Sequence, residues 1–436
     1  MAVSVTSFRR AAVALGLTLL ACGPASAQFR PERPYRGIFA NGTDGAGQSL
    51  TAQATFSGGY DDNILADAIR RATVIRNAQG GGLGQFSGGL SYALSGDRAS
   101  LNAGAGTSLR YYPSLPNDYY KTYNASIGGQ VIVLRKPALT AHALAAYRPY
   151  SFLSLTPGAG DDDVVDPTIG ASTPPEVDFV PVANQYIYYS AGSTMSQPLS
   201  RRTTADLNYT YSTADRLNRH FWRQGGGVTL RHQLNKDLSL RAGYKYTEAH
   251  YGERTNRVHR PDVGLDFNHA LSLTRRTTFN FGVGTEATVV NDRTRLRATG
   301  NASLQHEMGR TWTLAGNYRR GTYYTETLPD PVFGDAASAS LDGLITRRLQ
   351  FRAIATASLG SVGSGARHKY DIYRGTVSLS TALTRYMNVG LDYAYFDYSF
   401  NEGIVLDPGV PSDISRQSIR AHLTLWAPLL NRARRN

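Results

Sequence analysis

A chain of 436 residues with 41% apolar and 18% charged residues is neither a disordered tail nor a heavily charged surface protein. Its formal charge is +13, and no apolar run of about twenty residues follows the N-terminal segment, which excludes a bundle of membrane-spanning helices. The single cysteine, Cys22, lies in that N-terminal segment, so the rest of the chain has no disulfide, iron–sulfur cluster or Cys-ligated zinc.

Arg9 and Arg10 precede an uncharged stretch, Ala11–Ala21, of the length of a signal h-region, and Ala25-Ser26-Ala27 is an A-x-A cleavage site. Residues 1–27 therefore read as a cleaved signal peptide, with Gln28 as the first mature residue. The alternative is a lipoprotein box at Leu19-Leu20-Ala21-Cys22, which would acylate Cys22 instead, although Leu20 is bulky for its place. Arg9-Arg10 lacks the remainder of a twin-arginine motif. Export follows either way. Residues 28–49 are rich in Pro and Gly, without a period, and read as a flexible periplasmic linker.

From Leu50 onward apolar and polar residues alternate. Leu349, Phe351, Ala353, Ala355, Ala357 and Leu359 interleave with Gln350, Arg352, Thr356 and Ser358, and period 2 sends the two sets to opposite faces of a strand. Similar runs cover Leu296–Gln305 and Asn388–Tyr395. Short turns of one flavour separate them: Leu94–Arg98, Leu134–Pro137, Leu199–Arg202, Leu234–Asp237, Leu273–Arg276, Met308–Thr311, Ile345–Arg348 and Leu383–Tyr386. Their leading residues recur 35–40 apart, with one gap of 65 that holds an insertion at Leu155–Asp178. Longer polar connections lie between, among them Gly252–His259, Leu328–Asp335, Gly360–Lys369 and Asn401–Asp413.

Strand, long loop, strand, short turn, repeated with eight short turns and nine loops, predicts eighteen antiparallel strands. The count falls to sixteen if the short runs at Thr203–Ser212 and Ala336–Ile345 are not strands. No such hairpin satisfies its own edges, and lipid offers no hydrogen bonds in exchange, so the sheet must close. The expected fold is all-β: a transmembrane antiparallel up-and-down β-barrel over residues 50–427, followed by a basic tail, 428–436.

The lipid-facing register carries aromatics near strand ends: Tyr111, Tyr123, Tyr147, Tyr189, Tyr211, Tyr246, Trp312 and Tyr395, as interfacial girdles require. The final strand, with Ile419, Ala421, Leu423 and Leu425 on one face, ends near Trp426. Such a strand is what barrel-assembly machinery reads, although here a tail follows it.

The turns hold Arg98, Arg135, Lys136, Arg201, Arg202, Lys236, Arg275, Arg276, Arg310, Arg347, Arg348 and Arg385, a basic collar at one rim. Parity assigns the lumen Arg110, Arg148, Arg223, Arg231, Arg241, Lys245, Arg295, Arg297, Arg319, Arg352, Arg374 and Arg420, opposed by Asp206, Asp262, Asp266, Glu286, Asp342 and Asp392. Basic residues lining a pore favour anions. Two outcomes are open: a weakly anion-preferring aqueous passage, or a self-neutralising Arg–Asp ladder that stiffens the wall and selects nothing.

Catalytic patterns are missing. The nine histidines form no H-E-x-x-H and no tight His–Ser–Asp grouping. Gly360–Gly365 has the wrong spacing for a nucleophile elbow, and Gly80–Gly84 is followed by no helix that could cradle phosphate. The acids of the insertion, Asp161, Asp162, Asp163, Asp166, Glu176 and Asp178, match no ordered calcium loop. No metal or cofactor is expected, and charge dispersed over the turns of an exported chain excludes nucleic acid as a partner.

Gly58-Gly59-Tyr60-Asp61-Asp62-Asn63-Ile64, at the end of the first strand, resembles the G-Y-D-D-N segment near the start of the beta-barrel porin 2 family, and the Leu-Thr-Arg-Arg turns are similar to that group. The resemblance spans nearly all of the mature chain through short motifs. It implies a barrel in the outer membrane of a Gram-negative bacterium with a porin-like role, and it transfers no catalytic residue. The expected function is passive passage of small hydrophilic solutes. The alternatives are an accessory or export barrel for surface polysaccharide, or a structural barrel with a plugged lumen. Expected partners are outer-membrane lipids and lipopolysaccharide, the barrel-assembly machinery and the solutes.

Overall fold

The computed structural model describes residues 46–64, 80–114, 119–132, 138–148, 151–152, 179–180, 186–216, 219–252, 254–270, 276–290, 293–323, 328, 330–363, 369–401, 404 and 412–433. Contacts divide the chain into residues 1–34 and 35–436, and every described residue belongs to the second unit. The signal peptide, nearly all of the linker, and the insertion lie outside the described residues.

Alternation becomes strand throughout. The elements are β1 (Ala46–Asp61), β2 (Gly81–Ser95), β3 (Ala99–Tyr111), β4 (Tyr119–Ile132), β5 (Ala138–Arg148), β6 (Ser151–Phe152), β7 (Phe179–Val180), β8 (Tyr186–Pro198), β9 (Thr203–Arg216) and β10 (Arg219–Gln233). They continue with β11 (Leu238–Tyr251), β12 (Arg254–Ala270), β13 (Thr277–Val290), β14 (Arg293–Met308), β15 (Trp312–Tyr323), β16 (Val332–Leu344), β17 (Leu349–Val362), β18 (Lys369–Thr384), β19 (Met387–Phe400) and β20 (Asp413–Ala433). β6 and β7 pair only with each other, at the two ends of the insertion. The other elements form one 18-stranded sheet.

In that sheet each strand pairs antiparallel with its neighbours in the chain, and β1 pairs with both β2 and β20. The sheet is therefore a closed up-and-down barrel. Closure is what a wall in lipid requires, since an open edge would leave a row of unpaired N–H and C=O groups. No helix among the described residues is long and apolar enough to cross a membrane; strands make up this wall.

The register fixes the faces. Phe56 pairs with Phe86, Phe86 with Leu109, and Tyr123 with Tyr147, and all of these lie on one side of the wall. That side is the outside: Phe56, Leu90, Tyr123, Ile127, Tyr189, Leu207, Leu230, Leu240, Val377 and Leu391 are all exposed large apolar side chains on this parity. Tyr111 stacks on Tyr119 with centroids 4.9 Å apart, and Tyr123 meets Tyr147 at 5.9 Å, as a ring belt demands. Trp312 lies flat against outward Gly343 near Phe351, because a glycine leaves room for the indole there.

The repeated turn sequence has a mechanism. In Leu199-Ser-Arg-Arg202 the Ser200 hydroxyl accepts from the amides of Arg202 (3.2 Å) and Thr203 (3.0 Å). Asn235 Oδ1 accepts from Asp237 (2.9 Å) and Leu238 (2.8 Å), and Thr346 Oγ1 from Arg348 (3.3 Å) and Leu349 (3.1 Å). The leading residue amide bonds back across each turn, as in Ile345 N to Leu349 O at 2.9 Å. A short polar side chain in second place thus stands in for a backbone acceptor and closes the hairpin. The basic residues of these three turns, Arg201, Arg202, Lys236, Arg347 and Arg348, are exposed.

Three expectations need correction. Gly252–His259 is no long connection: Gly252 takes φ +59° in a tight turn, and β12 begins at Arg254. The β9–β10 and β13–β14 connections are equally short, with Arg216 paired to Arg219 and Val290 to Arg293, because these strands run on past the height at which the pattern loses its apolar face. The short runs at Thr203–Ser212 and Ala336–Ile345 are strands as the count of eighteen requires, the first wholly within β9 and the second within β16 as far as Leu344. Finally, residues 428–433 are no tail: β20 passes a bulge at Leu429 and stays paired with β1 as far as Ala433.

The start of β1, the end of β20 and the described short turns share one rim, the turn end. The opposite rim is the loop end.

Candidate functional site: the barrel interior

The inner register is polar at mid-height. Across β9–β12 it carries a ladder of alternating charge. Arg241 on β11 donates from Nε to Asp262 and from Nη1 to Asp266, both at 2.6 Å. Arg231 on β10 lies 3.5 Å from Asp266 on one side and 3.5 Å from Asp206 of β9 on the other. Asp206 also accepts from the Ser196 hydroxyl of β8. Five residues predicted from parity are thus brought into one row, each acid flanked by arginine. The pairs remain partly solvated, so they order the wall more than they stabilise it.

A second group sits on β16–β17, where Arg352 Nε donates to Asp342 at 2.7 Å beside Gln350. On β19–β20, Asp392 stands opposite Arg420 in register yet is bonded by His422 Nδ1 at 2.8 Å. The His422 ring covers Gly390, where any Cβ would collide with it at 2.5 Å. Arg420 and Arg110 instead both donate to Gln85 Oε1, each at 3.3 Å. Arg223, Lys245, Arg319 and Arg374 occupy the same inner register on β10, β11, β15 and β18. Arg148 of β5 pairs with Tyr186 of β8, and the Arg148 side chain lies outside the described residues.

Three predicted lining residues are elsewhere. The ladder between β12 and β13 reaches only to Asp262↔Glu286, and that between β14 and β15 only to Gly300↔Arg320. Beyond those pairs the loop-end half of the β13–β14 hairpin leaves the wall and laps over the outside of β15–β16. Arg297 lies 4.3 Å from the ring of Phe333, a residue on the outer register of β16. Glu286 accepts from the hydroxyl of Thr322, on the outer register of β15. Arg295 shares the hairpin and is exposed. Parity was right for these strands, but the strands themselves have left the cylinder.

The loop end of the interior is apolar. Tyr323, Val332, Val362, Tyr370, Ile372, Phe396, Tyr398, Phe400 and Ile414 form one buried cluster over β15–β20. A smaller one, Ala214, Phe221, Ala249 and Val258, spans β9–β12. The hydroxyls of Tyr323 and Tyr370 bond each other, and Ser358 bonds both. The Tyr370 ring can lie across the wall because Gly334 and Gly360 stand beneath it.

Sequence reasoning missed the most deeply buried of these ion pairs. Arg416 of β20 donates from Nε and Nη2 to Asp61 at the end of β1, at 2.9 and 2.7 Å, with both side chains fully buried. Tyr112 stands within 3.4 Å of the same guanidinium. The signal was present: Arg416 shares the parity of Arg420, four residues on. Just past β1, burial pushes the Asp62 carboxyl above its ordinary value, against the pull of the Gln417 amide that donates to it at 2.6 Å. Among the described residues no group of three His, Asp or Glu side chains could hold a metal ion.

Compared with protein-family sequence models and with curated proteins, the chain matches none. The resemblance to the beta-barrel porin 2 family therefore remains one of short motifs. Solved structures with a similar arrangement include OccK2 (OpdF) of Pseudomonas aeruginosa in complex with glucuronate, at 10% identity, covering 88% of this chain and 98% of that one, with a TM-score of 0.46. OpdQ of the same organism is 9% identical over 88% and 98%, TM-score 0.42, and its siderophore receptor PirA 9% identical over 87% and 80%, TM-score 0.43. The fold assignment rests on the strand pairing of this chain itself.

Proposed function

We propose that the protein is a passage for small hydrophilic solutes through the outer membrane of a Gram-negative bacterium, with the loop end facing out. One observation carries this: a closed barrel whose outer face is an apolar, ring-bordered belt and whose inner face at mid-height is charged and hydrogen-bonded. A purely structural cylinder could fill its interior with apolar side chains; here that filling is confined to the loop end. The acids of the mid-height row are held by arginines, and basic residues outnumber acids on the inner register. This favours a weak preference for anions. In this reading the ladder stiffens the wall and the basic surplus sets the sign, against the alternative of a ladder that selects nothing.

Liposomes loaded with the protein should swell in small sugars and cease to do so above a sharp size limit. In planar bilayers under a salt gradient the zero-current potential should take the anion-selective sign. A cation-selective sign would remove the anion preference, and swelling no faster than in empty liposomes would remove the passage. Loss of surface polysaccharide in a deletion strain, with solute uptake unchanged, would favour an export barrel instead.

A further inference from the structure

Where the β13–β14 hairpin leaves the wall, one side chain spans the place it leaves. Pro261 stands at the break between β12 and β13, and proline has no N–H to give a neighbouring strand. One residue earlier, Arg260 points inward and is 8% exposed. Its Nη1 donates to the backbone oxygen of Thr322 on β15 at 3.0 Å, and its Nη2 to Thr247 Oγ1 on β11 at 3.2 Å. Thr322 lies two residues beyond the last pair that β15 makes with β14, so Arg260 satisfies a carbonyl on an edge which the hairpin has vacated. On the outside, the Thr322 hydroxyl bonds Glu286 of the displaced hairpin.

At this height no described strand pairs with the facing edges of β12 and β15, and the Arg260 side chain bridges them, so the wall there has two paired strands fewer than the 18 of the turn end. Taking the passage proposed above as given, we propose that Arg260 is a latch that sets its size cut-off: by holding β15 against β12 it keeps the hairpin outside and the loop-end mouth narrow. Without the guanidinium the Thr322 carbonyl loses its donor and nothing spans the facing edges of β12 and β15, while the hairpin that can pair with both is already attached at Asp262↔Glu286 and Gly300↔Arg320. Its return widens the mouth to the full strand count.

Cysteine pairs report the two positions, in a chain whose Cys22 is replaced by serine. Glu286→Cys with Thr322→Cys reports the lapped hairpin. Thr299→Cys with Gly321→Cys, opposite each other if the β14–β15 register simply continues, reports the hairpin in the wall. With a short thiol cross-linker the first pair should join in the otherwise native chain and the second should not; adding Arg260→Ala should reverse this, and Arg260→Lys should largely keep the native pattern. Barrel width grows in proportion to strand number, so Arg260→Ala should raise single-channel conductance by roughly a quarter and admit larger polyethylene glycols. Cross-linking of the 299/321 pair in the native chain, or an Arg260→Ala barrel with unchanged cross-linking and cut-off, overturns the latch. The expected cross-links in a barrel that conducts nothing overturn the passage and leave the latch standing.

Discussion

Asp61 and Arg416 form the one contact among those described in which two opposite charges are both fully buried, and they join the first strand to the last. Removing one member of such a pair leaves the other without compensation, whereas replacing both with apolar groups removes the desolvation cost as well. Asp61→Ala should therefore lower stability by about 3–5 kcal/mol in urea titrations of the detergent-folded barrel. Asp61→Leu combined with Arg416→Met should cost clearly less; equal losses would show that the pair is not the source. The ladder arginines behave differently. Arg241 is partly solvated, so Arg241→Gln should change stability by no more than about 1 kcal/mol. It nevertheless uncovers Asp262 and Asp266 together, and the zero-current potential should move toward cations. A variant with unchanged selectivity would mean that ions do not pass this row.

At the scale of the element, the hairpin turns were legible as a motif before their mechanism was. Leu-Ser-Arg-Arg, Leu-Asn-Lys-Asp and Ile-Thr-Arg-Arg share a second-place side chain that accepts two backbone amides. Asn235→Ala should cost about 1 kcal/mol, and Asn235→Ser less, in the same urea titration. Gly309 obeys another rule: it takes φ +62° with open space around the position of a Cβ, so only its backbone conformation resists substitution. Gly309→Ala should cost about 1–2 kcal/mol and Gly309→Asn less, since Asn tolerates the left-handed region. An Ala variant as stable as the native chain would contradict this. Period 2 placed nearly all strand faces correctly because one face meets lipid and the other does not, so a slip of a single residue would invert every side chain. It misjudged strand ends, as at Gly252–His259 and in the β9–β10 connection, because beyond the membrane the outer face carries polar residues such as Arg257 and Asp215 and the contrast fades.

For the molecule as a whole, the strand count of eighteen was readable from connection spacing, and so was closure, since lipid forbids the alternative. The departure of β13–β14 from the wall was not. Parity treats each strand as part of one surface, and nothing in Arg295 or Arg297 tells a residue facing water inside from one facing a neighbouring strand outside. Pro261 and Gly300 were the only marks in the sequence, a lost donor and a weak strand position at the two breaks. The charged interior was half legible: the row from Asp206 to Asp262 followed from alternation, whereas the choice of His422 over Arg420 by Asp392 depends on how rings fit over Gly390.

The central claim is that this closed wall encloses a continuous aqueous path. Single-channel recording of the detergent-folded mature chain in a planar bilayer tests it most directly. Discrete, ohmic conductance steps are expected, blocked by polyethylene glycols below one cut-off and unaffected by larger ones. A fully folded, heat-modifiable protein that inserts and yields no steps at any voltage would contradict the account.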